Sequence, residues 1–543
     1  MRVRRRQVVT VARQAVAKRW WVLFAGLALV ALWHLDRLGH GRIFFYDEWS
    51  WVLQRRSGAE AWLLPHNGHL VAAPVALYQL LFALVGLTNY RVFLLAGSAV
   101  HIAAAALAAI YARRRAGDVA GLAVAAVVLF LGSAWQDVLW PFQITLMGSV
   151  AAGLGAYLLL DAERPRPDVG AAALLALGLA CSSIGLAMSA GAAARLLVAR
   201  QWRRLWIPAA GLVGFLAWTA VYGEAQGGLG TLAVLPGYIA KAFASSLAAI
   251  GGIDAGWGGW LGLAFLVALV GHVWRARRLP PALAGLVAAA LTFWSLTAYA
   301  RGQYGEPSAS RYLYVGAILS LLALAEVLGR RAWRGRSIVL VGAAALAVWG
   351  NADDLRFGAS TLHDNSIVLR AALAGLELAG ADVDPAYCPD PQGAPSIRAG
   401  QYFAAIAALG SPAEPYERLP RMPALARQAA DRVLLEARPP SVAAGGADPQ
   451  GRLQVEGAAE ARCAQAVAGA ALTVVVPPAG LAVIAPARTS LRLRRFADTW
   501  YDAVSIEIAP GRPQVLRLPS DASPVPWRAR VNGPAVVCAA RAE

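Results

Sequence analysis

Residues 169–199 read VGAAALLALGLACSSIGLAMSAGAAARLLVA, and residues 201–206 read QWRRLW. The apolar run is too long for one comfortable crossing, because a helix spans the hydrocarbon with about 20 residues. Counted once, it would put Arg203 and Arg204 outside and invert everything that follows. Short loops rich in arginine stay on the cytoplasmic side. The run is therefore broken at Ser182-Ser183-Ile184-Gly185 into two short helices, whose freed backbone groups must be buried in protein.

Outward from that break, the same rule organises the rest. The chain has 543 residues, 58% hydrophobic and only 15% charged, with a formal net charge of +18 and a mean hydropathy of +0.50. A soluble domain carries roughly 25% charged residues, so a plain cytosolic enzyme is excluded, as is disorder. The basic excess is almost all arginine and sits between apolar runs, which argues for membrane topology rather than nucleic acid. The N-terminus, MRVRRRQVVTVARQAVAKRWW followed by VLFAGLALVALW, has no small-residue cleavage site and reads as an uncleaved anchor. Placing each arginine cluster inside gives spans near 20–36, 90–112, 119–134, 141–160, 169–182, 185–199, 207–222, 257–274, 281–299, 311–328 and 337–350. Eleven crossings start inside and end outside.

The expected fold is a polytopic α-helical membrane protein, residues 1–350, with a C-terminal extracytoplasmic α+β domain containing a β-sandwich. Residues 37–89 form the first extracytoplasmic loop. Its apolar stretch GHLVAAPVALYQLLFALVGL would break the charge parity as a span and is laid in the interface instead; the loop 223–256 reads the same way. Residues 351–449 are a mixed helical segment, with helices at 366–379 and 422–437. From 450 to 543 the short runs ALTVVVP, LAVIAPA, SLRLRRF, AVSIEIA, QVLRLP, RARVNG and AVVCA, split by Gly, Pro and Asp, suggest a sandwich. An oxidising exterior permits a bridge. Cys463 with Cys538, near the first and last strands, is the expected pair, and free buried thiols are the alternative.

No phosphate-loop, zinc-protease or nucleophile-elbow motif is present. The candidates are polar clusters at the outer ends of oily helices. The first is Phe44-Phe45-Tyr46-Asp47-Glu48-Trp49, where burial and a neighbouring charge would make one carboxylate a better base; Asp47 as a helix cap is the bland alternative. The second is Pro65-His66-Asn67-Gly68-His69, able to donate to a phosphate or to bind a metal with a nearby carboxylate, or simply a surface turn. The third is Trp135, Gln136 and Asp137 with Trp140 and Gln143, where Asp137 offers a second carboxylate. The fourth is Tyr299 to Glu306, including Arg301, Gln303 and Tyr304, followed by Ser310-Arg311-Tyr312. Arg301 and Arg311 break the positive-inside pattern, and a guanidinium at the mouth of a span suits a phosphate, unless it merely snorkels.

An uncleaved first span, an acidic pair just outside it, horizontal helices and a second span ending in Tyr111-Ala-Arg-Arg-Arg resemble the GT-C superfamily of integral-membrane glycosyltransferases. The stretch from His69 to Leu81 is similar to that family's second interfacial helix, although proline falls five residues after the histidine rather than two. The resemblance covers 1–350 in architecture and about 37–115 in motif. It implies inverting transfer from a polyprenyl-phosphate sugar to a cell-envelope glycan or lipid acceptor at the outer face of a bacterial plasma membrane. Asp47 would be the general base, Glu48 its support, and Arg301 and Arg311 the stabilisers of the lipid phosphate. His66, His69, Trp135, Asp137, Gln143 and Tyr312 would line the substrate site, and a divalent cation is left open because members differ. Arabinofuranosyltransferases of actinobacterial cell walls share this architecture, and by analogy the terminal sandwich would bind carbohydrate. A flippase or transporter for a lipid-linked glycan competes with this reading, since broken helices mark transporter sites. A non-catalytic wall-assembly protein would leave Asp47, Glu48 and Arg311 without a role.

Overall fold

The computed structural model describes residues 2–55, 58, 60–162, 165–224, 229–302, 305–330, 334–501 and 505–542. They form two compact units. The first comprises residues 1–40, 54–84 and 90–362, and the second residues 41–53, 85–89 and 363–543.

The first unit is helical. Among the described residues, eight helices are long and apolar enough to cross a membrane, or nine if the bent pair Asp118–Leu129 and Gly132–Leu139 counts as one span. All eleven expected spans are helices, but Pro165–Cys181 and Ile184–Val198 fall short of membrane length singly. The chain breaks between them at Ser182 and Ser183, as the arginine pattern requires. There Ser149 Oγ, from the helix Ile144–Leu159, donates to the Gly178 carbonyl at 2.7 Å and approaches that of Ser182 at 3.4 Å. The same two carbonyls also accept backbone N–H groups, of Ser182 at 3.1 Å and Gly185 at 2.9 Å, so no polar group is left bare at the break.

Close approach of small residues packs this bundle. A Cβ on Gly191 would meet the Gly285 carbonyl and the Tyr157 hydroxyl, so Ile184–Val198 and Pro281–Arg301 touch backbone to backbone. By contrast Trp206–Tyr222, Gly258–Ala276 and the start of Arg336–Ala379 expose Val213, Leu216, Val267, Val270, Ile338 and Leu346. Such apolar faces are what lipid covers. The helix Ala72–Val85, from the stretch laid in the interface, has 14 residues and is too short to span.

The arginines expected inside do gather at one end. Arg114, Arg115 and Arg195 surround Asp161 at 3.3, 2.7 and 2.6 Å, Arg115 also meets Glu326 at 3.0 Å, and Arg204 pairs with Asp168. Glu326 and Arg311 lie at opposite ends of the helix Ser310–Leu328.

The second unit holds the terminal domain. The expected separate helix at 366–379 is instead the end of one unbroken helix, Arg336–Ala379, which runs on through Gly350-Asn351; Ala399–Leu409 and Ala424–Ala437 follow. The strands are β1 Ser441–Ala444, β2 Cys463–Ala466, β3 Ala471–Val475, β4 Leu481–Ile484, β5 Thr489–Arg494, β6 Ile506–Ile508, β7 Gln514–Arg517, β8 Arg528–Asn532 and β9 Ala535–Ala539. They form two antiparallel sheets, ordered β1-β7-β4-β9-β2 and β3-β8-β5-β6. Strands β1 and β2 escaped the sequence reading because their residues are mostly small, with weak β-preference. Cys463 and Cys538 face each other across β2 and β9 and are joined as a disulfide, while Cys181 and Cys388 are free. The helix Ala424–Ala437 is tied to the sandwich by Asp431, whose carboxylate accepts backbone N–H groups of Arg495, Phe496 and Ala497 at 2.8, 3.0 and 3.0 Å.

Candidate active site

At the end of the first unit away from Asp161, the chain makes a tight series of turns. The 3-10 turn Gly132–Ala134 leads into Trp135–Leu139, then Pro141–Gln143 opens the helix Ile144–Leu159. Asn351 pins the first turn: its Oδ1 accepts the Ser133 N–H at 2.8 Å, and its amide donates to the carbonyls of Ala249 and Ala347 at 3.1 and 2.9 Å. Gly132 is required there, because a Cβ would overlap the Asn351 carbonyl oxygen.

That turn presents Gln136 and Asp137 to the start of Ser310–Leu328. The Gln136 N–H donates to Ser310 Oγ at 3.1 Å, and Gln136 Oε1 accepts the Arg311 N–H at 3.3 Å. Gln136 thereby satisfies one of the orphan donors of a helix N-terminus. Asp137 is fully buried, and neither of its carboxylate oxygens has a hydrogen-bond partner. Arg311 supplies the positive charge that acts on it. The Arg311 guanidinium is exposed and lies 5.1 Å from the Tyr312 ring centroid. Behind Asp137, the Tyr314 hydroxyl meets His101 Nδ1 at 2.9 Å, and His101 Nε2 faces the Leu129 carbonyl at 3.3 Å.

Tyr238, on Leu235–Gly251, completes this group. Its hydroxyl is buried without a partner. Burial pushes its pKa up, Tyr312 and Glu306 add to the rise, and Arg311 opposes it. The sequence offered no signal for Tyr238 beyond a lone phenol in a mainly apolar helix that also carries Lys241, Ser245 and Ser246. Gln303 and Tyr304, expected in the same cluster, lie outside the described residues.

The His66–His69 segment is a two-residue hairpin turn. His66 and His69 exchange backbone hydrogen bonds at 3.0 and 2.9 Å, with Asn67 at φ 50° and Gly68 at φ 78°, which suits an Asn-Gly pair. Arg301 donates to the Asn67 carbonyl at 3.2 Å, and the His66 ring lies 5.2 Å from that of Phe142. His69 Nδ1 is shielded from solvent without a partner. Burial first, then Arg301 and His66, lower the His69 pKa to about 4. Buried Arg55 donates to the carbonyls of Leu64 and Pro65 and holds the turn's stem.

Two expected lining residues have structural surroundings. Trp135 packs against Phe357 and on Gly358, where a Cβ would strike the indole. Gln143 is buried, with Oε1 lacking a partner.

Asp47 and Glu48 belong to the second unit. Glu48 opens the helix Glu48–Gln54 and is fully buried, and its Oε2 accepts the Phe45 N–H at 2.8 Å, reaching back as in a capping box. Glu48 therefore secures the turn. Asp47 is half-buried, and its carbonyl accepts from Ser50 Oγ at 2.8 Å. Beside it Tyr46 is held at φ 43°, a left-handed conformation that non-glycine residues adopt at a cost. Trp49 and Trp51 are fully buried, and Trp49 packs 6.1 Å from Tyr402. They are core.

Among the described residues no group of three or more His, Cys, Asp and Glu side chains is placed to hold a metal ion. The first unit thus holds two polar groupings: the buried carboxylate of Asp137 with Arg311 and the phenols of Tyr238 and Tyr312, and the shielded His69 with Arg301.

No protein-family model matches the chain, and no curated protein matches it. Two solved structures show a distant likeness. The crystal structure of ArnT from Cupriavidus metallidurans in the apo state is 16% identical, covers 69% of this chain and 82% of its own, and has a TM-score of 0.45. The crystal structure of the same protein bound to undecaprenyl phosphate is 16% identical, with 68% and 82% covered and a TM-score of 0.42.

Proposed function

We propose that the chain is a membrane glycosyltransferase of GT-C type, moving a hexosyl or pentosyl group from a polyprenyl-phosphate donor to a cell-envelope glycan or lipid acceptor. The reaction takes place on the extracytoplasmic face of a bacterial plasma membrane and inverts the anomeric centre. The observation that carries this reading is Asp137, a buried carboxylate without a hydrogen-bond partner beside the exposed guanidinium of Arg311. Such a carboxylate needs an incoming donor group, and the guanidinium needs an anion. A hydroxyl-bearing sugar linked to a phosphate brings both.

In the proposed step the acceptor hydroxyl passes its proton to Asp47 as its oxygen attacks the anomeric carbon opposite the phosphate. The bond from that carbon to the phosphate oxygen breaks, and its electron pair leaves with polyprenyl phosphate. Arg301 and Arg311 take up the charge that develops on the leaving oxygen. Asp137 accepts from the sugar hydroxyls and orients the ring. The role of Asp47 rests on the family resemblance and is favoured by the strained Tyr46 beside it. The orientation, with the N-terminus cytoplasmic and the terminal domain outside, is the one charge parity favours, and the gathering of arginines around Asp161 at one end of the first unit supports it.

The test is transfer by purified protein from synthetic polyprenyl-phosphate sugars. Asp47→Asn should lower kcat by about 10²–10⁴-fold while donor binding persists. Undiminished transfer in Asp47→Asn removes the base assignment. Transbilayer movement of a lipid-linked glycan without transfer from any donor would replace the enzyme with a flippase.

A further inference from the structure

The four-stranded sheet carries an array that glycosyl transfer does not use. Along β5 and β8, Leu491, Leu493, Ala529 and Val531 are buried, so the alternate residues Arg492, Arg494, Arg528 and Arg530 stand on the opposite, outward face. The register sets them directly across from one another, Arg492 against Arg530 and Arg494 against Arg528. Cross-strand partners are about 5 Å apart, and alternate residues on a strand about 7 Å apart. Four guanidiniums therefore share one small patch.

Like charges placed directly opposite each other in an antiparallel pair are destabilising. Here two such pairs stand side by side. Part of the array is held in place: Glu456 lies 3.6 Å from both Arg494 and Arg528. Arg494 also donates to the Asp498 carbonyl at 2.5 Å, and its guanidinium lies 4.6 Å from the Trp500 ring centroid. Among the described residues no hydrogen bond or ion pair holds Arg530.

Beside Arg528 lies an open cleft of about 480 Å³ between the segment 454–459 and Val475, within the usual size of a ligand site. Its wall includes Val455, Ala458 and Ala459, small apolar side chains that suit the C–H face of a sugar ring. The neighbours of the arginines on the same face are Thr473, Ser490 and Asn532, with Val475 opposite Arg528 and Glu507 opposite Ser490. A surface that inserts into lipid presents mostly large apolar residues, whereas here guanidiniums and short polar side chains predominate, with Val475 and Trp500 at the margin. The disulfide in the same sandwich belongs to an oxidising compartment, where nucleic acid is scarce and charged polysaccharide is the common polyanion.

We propose that this face binds an anionic glycan, with Arg492, Arg494, Arg528 and Arg530 meeting its carboxylate groups and the adjoining cleft receiving a sugar ring. Binding does not depend on the transfer reading and is measured without donor.

The full chain in detergent is titrated with polygalacturonate and with neutral dextran of matched length, at low and high salt. Polygalacturonate should bind, dextran should not, and the affinity should fall as salt rises. Arg492→Gln combined with Arg530→Gln should weaken binding about tenfold or more, and Arg530→Gln alone should weaken it by less. Intact disulfide and unchanged thermal unfolding certify the variants, and the paired lysine variants keep the charge and restore part of the affinity. Equal binding of dextran, or undiminished binding in the glutamine variants, overturns the proposal. So does competition by glycerol 3-phosphate as effective as that by galacturonate oligomers, which would make the surface a headgroup site.

Discussion

Asp137 and Arg311 have opposite environments, and that contrast is testable. A buried carboxylate without partners is costly to keep charged, so Asp137→Asn should leave thermal stability unchanged or higher while transfer falls at least tenfold. A stability loss without a kinetic effect would make the residue structural. Arg311→Gln should raise the donor KM and lower kcat together, by about 10–100-fold in kcat/KM, with Arg311→Lys in between because lysine keeps the charge but not the fork. His69 bears on pH. Its folded pKa of about 4 lies below its ordinary 6.5, so the unfolded chain binds the extra proton between those values. Its contribution is complete above about pH 6.5 and is lost as pH falls toward 4. The drop in melting temperature from pH 7 to pH 5 should shrink in His69→Gln; an unchanged drop would refute the assignment.

At the scale of elements, the site depends on turns rather than on long helices. Gly132→Ala would drive a methyl into the Asn351 carbonyl, displacing the turn that carries Gln136 and Asp137. Transfer should fall with little change in the bundle's helicity by circular dichroism, because the lesion sits between helices. The helices themselves were legible in the sequence, since apolar length and flanking arginines set them independently of packing. The break at Ser182 was legible for the same reason, as charge parity demanded it. The unbroken run to Ala379 was not: Gly350-Asn351 reads locally as a helix stop, but Gly350 serves close approach to the Gly251 carbonyl and the helix continues through it. Nor were β1 and β2, whose small residues become strands only because β7 and β9 pair with them.

For the whole molecule, orientation and the disulfide go together. A reporter fused to the C-terminus should be active on the extracytoplasmic side, and cytoplasmic activity would overturn the topology. The Cys463–Cys538 bridge closes a separation of 75 residues, for which loop entropy estimates about 4 kcal/mol. Cys463→Ser should therefore lower the sandwich's unfolding temperature while leaving the bundle's transition in place.

Hydropathy, arginine placement and alternation of short apolar runs determined by themselves that this is a membrane bundle followed by a β-rich domain. Those signals are local, and solvent enforces them on each segment separately. The tertiary structure alone decided which polar groups meet: Gln136 with Arg311, Arg301 with the His66–His69 turn, Tyr238 beside Tyr312, and four arginines face to face on one sheet. Such meetings depend on helix rotation and strand register, and a one-residue slip in β5 would turn Arg492 and Arg494 into the core.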